Sequence, residues 1–391
     1  MLRDADPFVA ARPALLFYCQ HSLGIGHLTR SFALAAALSQ DFNVVFLNGG
    51  RLPPGLPVPG GIEIIDLPPL GMDDGHTVVS RDAKQDVAQA VAQRRAMIES
   101  AVRLHRPAVL LVELFPFGRK KFAGEILPLI RLAKRQPARV VCSLRDILVD
   151  ARPDQQHHDD RARWLADRYF DAVLVHADPA LARLEDSFHP RRPLRVPVHY
   201  TGYVVPVRAN AMAAPRGPQL LVSAGGGIVG KALFHTALQA RTLMREPLPM
   251  RLIAGPFLPE SEWLALQEAA RGEAGIELLR QVPDMVAEMR HARASISQCG
   301  YNTALDILVA RVPALVVPYA TATENEQAER ASKLAALGAM QQLDPAALCP
   351  ARLAAAIEAL LGFTPSAVSL GLDGAADSAR YLQQLVRERA A

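Results

Sequence analysis

Cysteine is scarce in this chain of 391 residues: four stand far apart, at Cys19, Cys142, Cys299 and Cys349, with no CxxC pair. This spacing argues against a disulfide scaffold and a zinc knuckle, and it predicts reduced, mostly buried thiols. Long apolar runs are also missing. The longest, such as AVLLVELFPF and ALVVPYA, fall well short of the ~18 residues that span a bilayer and match buried strands instead. The segment MLRDADPFVAARP carries Asp4 and Asp6 and no long apolar core, so no secretory signal is expected and the cytoplasm is the expected compartment. Charge is modest, at 21% of residues against 50% hydrophobic, which excludes a disordered chain. The net charge of +4 suits phosphate-bearing ligands. The basic residues are spread along the chain without a DNA- or RNA-reading motif, so no nucleic-acid partner is expected.

What is present is apolar residue in quantity, in a chain too long for one ordinary core. Two halves repeat one order. ALLFYC (Ala14 to Cys19) leads into the glycine loop HSLGIGH and an Ala/Leu-rich helical stretch from about Leu28. From Gln219, QLLVSAGGGIVGKALFHTALQA again gives strand, glycine loop and helix. Further strands NVVFLN, AVLLVE, RVVCSL and AVLVHA in the first half, and MRLIAG, ASIS and ALVVP in the second, alternate with helical segments. That alternation predicts an α/β fold with parallel sheets. The reading divides the chain into 1–207, a Pro/Ala/Arg-rich linker at 208–218, a second domain at 219–370, and a closing helix at 371–391 that can cross back onto the first domain. Ligands of such sheets sit at the C-terminal strand ends, where loops enter helices.

The loop Gly225-Gly226-Gly227-Ile228-Val229-Gly230-Lys231 fits GxGxxG and nearly fits a Walker loop. Ala232 stands where a metal-binding hydroxyl is needed. MRLIAGP ends without the acid that would hold a dinucleotide ribose. What remains is backbone N–H groups at a helix start, suited to a diphosphate; the plain alternative is a tight turn. A second such loop runs from Ser297 through Gly300 into a helix near Asn302, with Thr303 next to it and Asp306 on the Asn302 face. A carboxylate there can accept hydrogen bonds from ribose hydroxyls, or simply complement the helix dipole.

The segment from Ser297 to Ala339 resembles the donor-binding region of family 28 glycosyltransferases of the MurG type: Gly300, Thr303 and Asp306, then Val312-Pro313-Ala314 to Val317-Pro318, then Glu324, Asn325, Glu326 and Gln327. The resemblance implies a GT-B fold of two Rossmann-like domains facing a cleft, with the nucleotide-sugar donor on the second. It implies that Asp306 holds ribose and that Glu326 and Gln327 contact the donor sugar. On the first domain it implies an acceptor-side glycine loop ending in histidine, here Gly24, Gly26 and His27 with Arg30 following. That GxGHxxR spacing also resembles the nucleotide-sugar hydrolase of pseudaminic acid synthesis, which would make water the acceptor.

The expected function is therefore inverting transfer of a sugar from an NDP-sugar, taken as a UDP-sugar, to an acceptor that could be lipid-linked. His27 would act as base, with hydrogen bonding at the helix start or phosphate binding as its alternative, and the diphosphate would rest on Gly225, Gly226, Gly227 and the Gly300 helix start, with no cofactor and no bound metal. Hydrolysis and non-catalytic sugar-nucleotide binding are the alternatives. Glu113, Arg145 and Asp146 lie at strand ends; the first two are candidates for acceptor binding and Asp146 for a second base, with ordinary ion pairing as the alternative. Phe115, Phe117, Arg119, Lys120, Lys121 and Phe122 mix aromatics with cations, as a membrane-facing surface would and as a loop entering a core helix equally would. Asp73-Asp74 and Asp159-Asp160 are read as solvated pairs.

Overall fold

A computed structural model describes residues 12–21, 26–53, 55–73, 77–150, 152–206, 215–321 and 324–390. Its first half runs β1 (Ala14–Cys19), α1 (Gly26–Leu38), β2 (Asn43–Asn48), β3 (Ile62–Asp66), β4 (Leu70–Met72), β5 (Val78–Ser80), α2 (Val87–His105), β6 (Val109–Glu113), α3 (Ala123–Lys134), β7 (Arg139–Arg145), α4 (Gln155–Tyr169), β8 (Ala172–His176) and β9 (Val198–Tyr200). The second half runs β10 (Leu220–Ser223), α5 (Lys231–Leu243), β11 (Met250–Ile253), α6 (Glu260–Ala269), β12 (Ile276–Leu279), α7 (Met285–His291), β13 (Ala294–Ser297), α8 (Tyr301–Ala310), β14 (Ala314–Val316), α9 (Glu326–Ala336), β15 (Gln341–Gln342), α10 (Pro350–Leu360) and α11 (Gly374–Ala390).

Two parallel sheets result, ordered β3-β2-β1-β6-β7-β8-β9 and β12-β11-β10-β13-β14-β15, with β4 and β5 forming a separate antiparallel pair. Both sheets reverse direction beside their first strand, between β1 and β6 and between β10 and β13. That is where loops part and a ligand crevice opens. The central strands are mostly apolar because each sheet is covered on both faces. Leu16, Tyr18, Leu110, Val112 and Val140 pack into one core, while Leu15, Phe17, Leu111 and Val141 pack into another on the opposite face. The second sheet divides Leu220, Val222 and Ile296 from Leu221, Ala314 and Val316 in the same way.

Helix α11 returns to the first half, burying Ala375, Ala379 and Leu382 against Leu28, Phe32 and Leu38. Arg139 and Arg389 donate to the carbonyls of Leu385 and Ala138, both at 3.1 Å. The outgoing and returning chains cross at glycines. Tyr203 N donates to Gly371 O at 2.7 Å, and Gly374 N to Tyr203 O at 3.0 Å. A Cβ on Gly374 would lie 2.3 Å from Gly202 O, so the backbones touch where a side chain cannot fit.

Among the described residues, no helix is long and apolar enough to cross a membrane. Cys19, Cys142 and Cys299 are buried free thiols and Cys349 is exposed.

Candidate functional site

The loop after β1 falls within residues 22–25, so Gly24 lies outside the described residues. Because β1 and β6 are neighbours, the start of α1 stands over the end of β6. His27 Nδ1 meets Glu113 Oε1 at 2.6 Å, and Arg30 Nη2 donates to the same oxygen at 2.6 Å. Arg119 Nε lies 3.7 Å from Glu113 Oε2. Glu113 is fully buried; burial opposes its charge, but His27, Arg119 and Arg30 outweigh that and hold the carboxyl well below its usual range. His27 is pushed down to about 3, first by burial and then by Arg119, against the pull of Glu113. The imidazole is thus neutral. With Nδ1–H donated to the carboxylate, Nε2 is left with its lone pair as a proton acceptor. Arg119 adds a cation whose Nε and Nη2 make no hydrogen bond.

On the opposite side, β10 ends in a loop with Gly225 and Gly227 at φ of 54° and 94°. A Cβ on Gly227 would sit 2.3 Å from Ala254 O. Gly227→Ala is therefore expected to lower the melting temperature and weaken nucleotide binding, from a backbone strain of about 1–3 kcal/mol plus the clash; an unchanged melt and unchanged affinity would contradict the assignment. The loop reaches the next helix: the Cβ direction of Gly225 points at Thr303 Oγ1, 3.9 Å away, and Gln298 Nε2 donates to Val229 O at 2.9 Å. Gly300 caps α8 without a side-chain acceptor, so the opening N–H groups of this ten-residue helix have no capping side chain. Asn302 Nδ2 donates to Gly26 O at 3.1 Å, which brings the start of α8 against the residue preceding His27. Asp306 follows one turn on and is not without a partner.

Other expected site residues have partners within the chain. Asp146, read as a second base, has both carboxylate oxygens taken by Arg330 of α9, at 2.7 and 2.8 Å, and is fully buried. It is the buried ion-pair partner of Arg330, out of reach of an acceptor in solution. Arg145, placed on the acceptor side, and Glu326, placed on the donor sugar, pair with each other, with Nη1 2.9 Å from Oε1. Gln327 Oε1 accepts from the amides of Cys299 and Tyr319, both at 3.1 Å, and so ties the loops after β13 and β14 together. Phe115, Phe117 and Phe122 are 0%, 6% and 6% exposed, so these aromatics belong to the core and form no membrane-facing surface. Asp159, read as solvated, is buried and accepts from His189 N at 2.8 Å. Sequence reasoning missed the local roles of Arg119 and Arg330; each stands among other charged residues, in GRKK and in ENEQAERASK, and nothing local marks it.

The buried histidines set a pH dependence. His27 and His176 are each pushed down to about 3, burial being the first cause, whereas an unfolded histidine titrates near 6.5. As pH falls below about 6.5 the unfolded chain takes up protons that the folded chain refuses, so stability is present above that pH and is lost below it. The expected slope is about 1.4 kcal/mol per pH unit for each histidine. Thermal melts should fall steadily from pH 6 to pH 4, and a flat profile over that range would refute neutral burial.

Comparison with known proteins places the second half. Residues 236–368 match the family model of the glycosyltransferase family 28 C-terminal domain. A UDP-N-acetylglucosamine--N-acetylmuramyl-(pentapeptide) pyrophosphoryl-undecaprenol N-acetylglucosamine transferase of Methylobacterium sp. (strain 4-46) is 30% identical over 201 residues, covering 47% of this chain and 54% of that one. The protein of the same name from Rhizobium johnstonii is 29% identical, covering 56% and 64%. The chain thus spans between half and two thirds of these curated relatives. Among solved structures, Acinetobacter baumannii MurG superposes with a TM-score of 0.52 at 17% identity over 97% of this chain and 99% of that one. A UDP-glucosyltransferase from Polygonum tinctorium superposes with a TM-score of 0.61, also at 17% identity, over 98% and 100%.

Proposed function

We propose, from the premise that this chain has the GT-B fold and carries a family 28 glycosyltransferase C-terminal domain, that it transfers a sugar from a UDP-sugar to a hydroxyl acceptor with inversion. The observation that carries this reading is the contact of Gly26 with Asn302, which sets a neutral histidine base beside the start of the donor-side helix. The donor diphosphate lies against Gly225, Gly226, Gly227 and the first N–H groups of α8. Those groups and the helix dipole stabilise the charge that develops on the leaving group, so no cofactor is needed. Asp306 holds the ribose, Glu326 reaches the donor sugar by exchanging Arg145 for a sugar hydroxyl, and Gln327 offers it the Nε2 amide, its Oε1 being held by the amides of Cys299 and Tyr319.

His27 Nε2 takes the acceptor proton, and Glu113 stabilises the imidazolium that forms. Attack on the anomeric carbon comes from the face opposite the diphosphate, giving inversion. Arg119, with two guanidinium nitrogens lacking hydrogen bonds, suits an anionic part of the acceptor, in keeping with the pyrophosphoryl acceptor in the relatives' name. Such an acceptor would bring the protein from the cytoplasm to the membrane surface.

The test is calorimetry with UDP, ATP and NAD, followed by UDP release from UDP-N-acetylglucosamine with and without a membrane extract. UDP should bind, and the extract should accelerate release. Binding of ATP or NAD in place of UDP would overturn the reading, and free sugar released equally without extract would mean hydrolysis. Asp306→Ala should weaken UDP binding about tenfold, the value of one charge-assisted hydrogen bond; parental affinity would remove the ribose assignment.

A further inference from the structure

Arg330 is 2% exposed and spends three donors of its planar fork at once. Nε and Nη2 grip the two oxygens of Asp146, and Nη1 donates to the Cys299 carbonyl at 2.8 Å. The two ends of this grip belong to different sheets. Asp146 follows β7, whose neighbour β6 ends in Glu113; Cys299 precedes Gly300 and the start of α8. One guanidinium therefore connects the loop that aims the donor helix to the strand ends beside Glu113, the carboxylate that holds the base.

Flanking contacts run the same way. Tyr301 OH donates to His176 O at 2.9 Å and accepts from Val204 N at 3.1 Å. Asn325 Nδ2 donates to Asp150 at 2.8 Å, and Lys333 Nζ meets Asp186 at 2.7 Å. We propose that Arg330 is a positioning residue for sugar transfer, holding the start of α8 at a set distance from His27 through Asp146 and the Cys299 carbonyl. This rests on the reading above, in which α8 holds the donor and His27 is the base.

Stability alone does not account for the arrangement. A buried ion pair exchanged for apolar side chains of similar size is often neutral or stabilising. What the apolar pair cannot reproduce is a three-point grip of fixed geometry, and a misplacement of about 1 Å at a reacting centre can cost about a hundredfold in rate.

The decisive variant is the double replacement Asp146→Leu with Arg330→Met, which leaves no lone buried charge. Its melting temperature should stay near that of the parent and its UDP affinity within about threefold, since both depend on folded domains. Turnover of UDP-N-acetylglucosamine, read as UDP release with membrane extract, should lose at least tenfold in kcat with KM little changed, the signature of an interaction that acts at the transition state. Arg330→Lys keeps the charge but not the fork, and should fall between parent and double variant. A double variant with parental kcat would overturn the proposal, as would losses of kcat matched by equal losses of UDP affinity. If the double variant fails to fold, Arg330→Lys decides by the same kcat and UDP readings. A parent chain that does not bind UDP would instead overturn the underlying function, and this is seen before any variant is made.

Discussion

Replacing His27 by alanine is expected to lower kcat for sugar transfer by about 10²–10⁴, the usual worth of a positioned general base, or about 3–5 kcal/mol of transition-state stabilisation. Donor affinity should hardly change, because the donor-side groups sit on α8 and the Gly225 loop while His27 stands on the first sheet's side. The pH profile supplies a second reading. A base with an ordinary histidine value would lose its active form near pH 6.5. His27, held down to about 3 by burial, should keep the parent rate level well below that, provided the chain stays folded. UDP-release kinetics between pH 5 and 8 check both points. A variant with parental kcat would remove His27 from the chemistry, and an acid limb centred at 6.5 would remove its neutral burial.

Glu113→Ala is expected to have the largest effect on stability. The carboxylate is fully buried and is contacted by Arg30 at 2.6 Å and Arg119 at 3.7 Å. Its removal strands two guanidinium groups beside a neutral imidazole. Breaking a buried ion pair from one side costs about 3–5 kcal/mol, which for domains of this size is a fall in melting temperature on the order of 10 °C. Differential scanning calorimetry measures it directly. Glu113→Gln preserves volume and an acceptor for His27 Nδ1–H but not the counter-charge, so it should fall nearly as far. A glutamine variant melting with the parent would show that hydrogen bonding, and not charge, holds the cluster.

The central strands and the loops that follow them were legible because doubly covered parallel strands are written as continuous apolar runs. ALLFYC and AVLLVE could hardly be anything else. The edge strands Ile276–Leu279 and Gln341–Gln342 carry polar residues on a partly exposed face, and their pattern is too mixed to be seen. At the site, the positions of His27, Asn302 and Gly225 follow from strand–loop–helix grammar. The fates of Asp146, Arg145 and Glu326 do not, because each is decided by a partner in the other half of the chain, and periodicity carries no information across such a distance. The aromatics around Arg119 left two readings open for a related reason: composition shows cations and rings together, but not that the rings turn inward while Arg119 turns to Glu113.

The crossing of Tyr203 with Gly371 and Gly374 has a topological meaning. The chain leaves the first sheet's domain and comes back to it at a single place, with the departing and returning strands paired at Val204 and Asp373. Formally, the second domain is an insert between β9 and the helix that completes the first. Its two ends lie within one hydrogen bond of each other, so it could be excised and a few residues used to rejoin the host. Such a graft would give the acceptor-side domain alone with its closing helix in place, whereas truncation after residue 206 would strip that helix and expose Phe32 and Leu38. Evolution could exchange donor modules through the same joint without disturbing the host core.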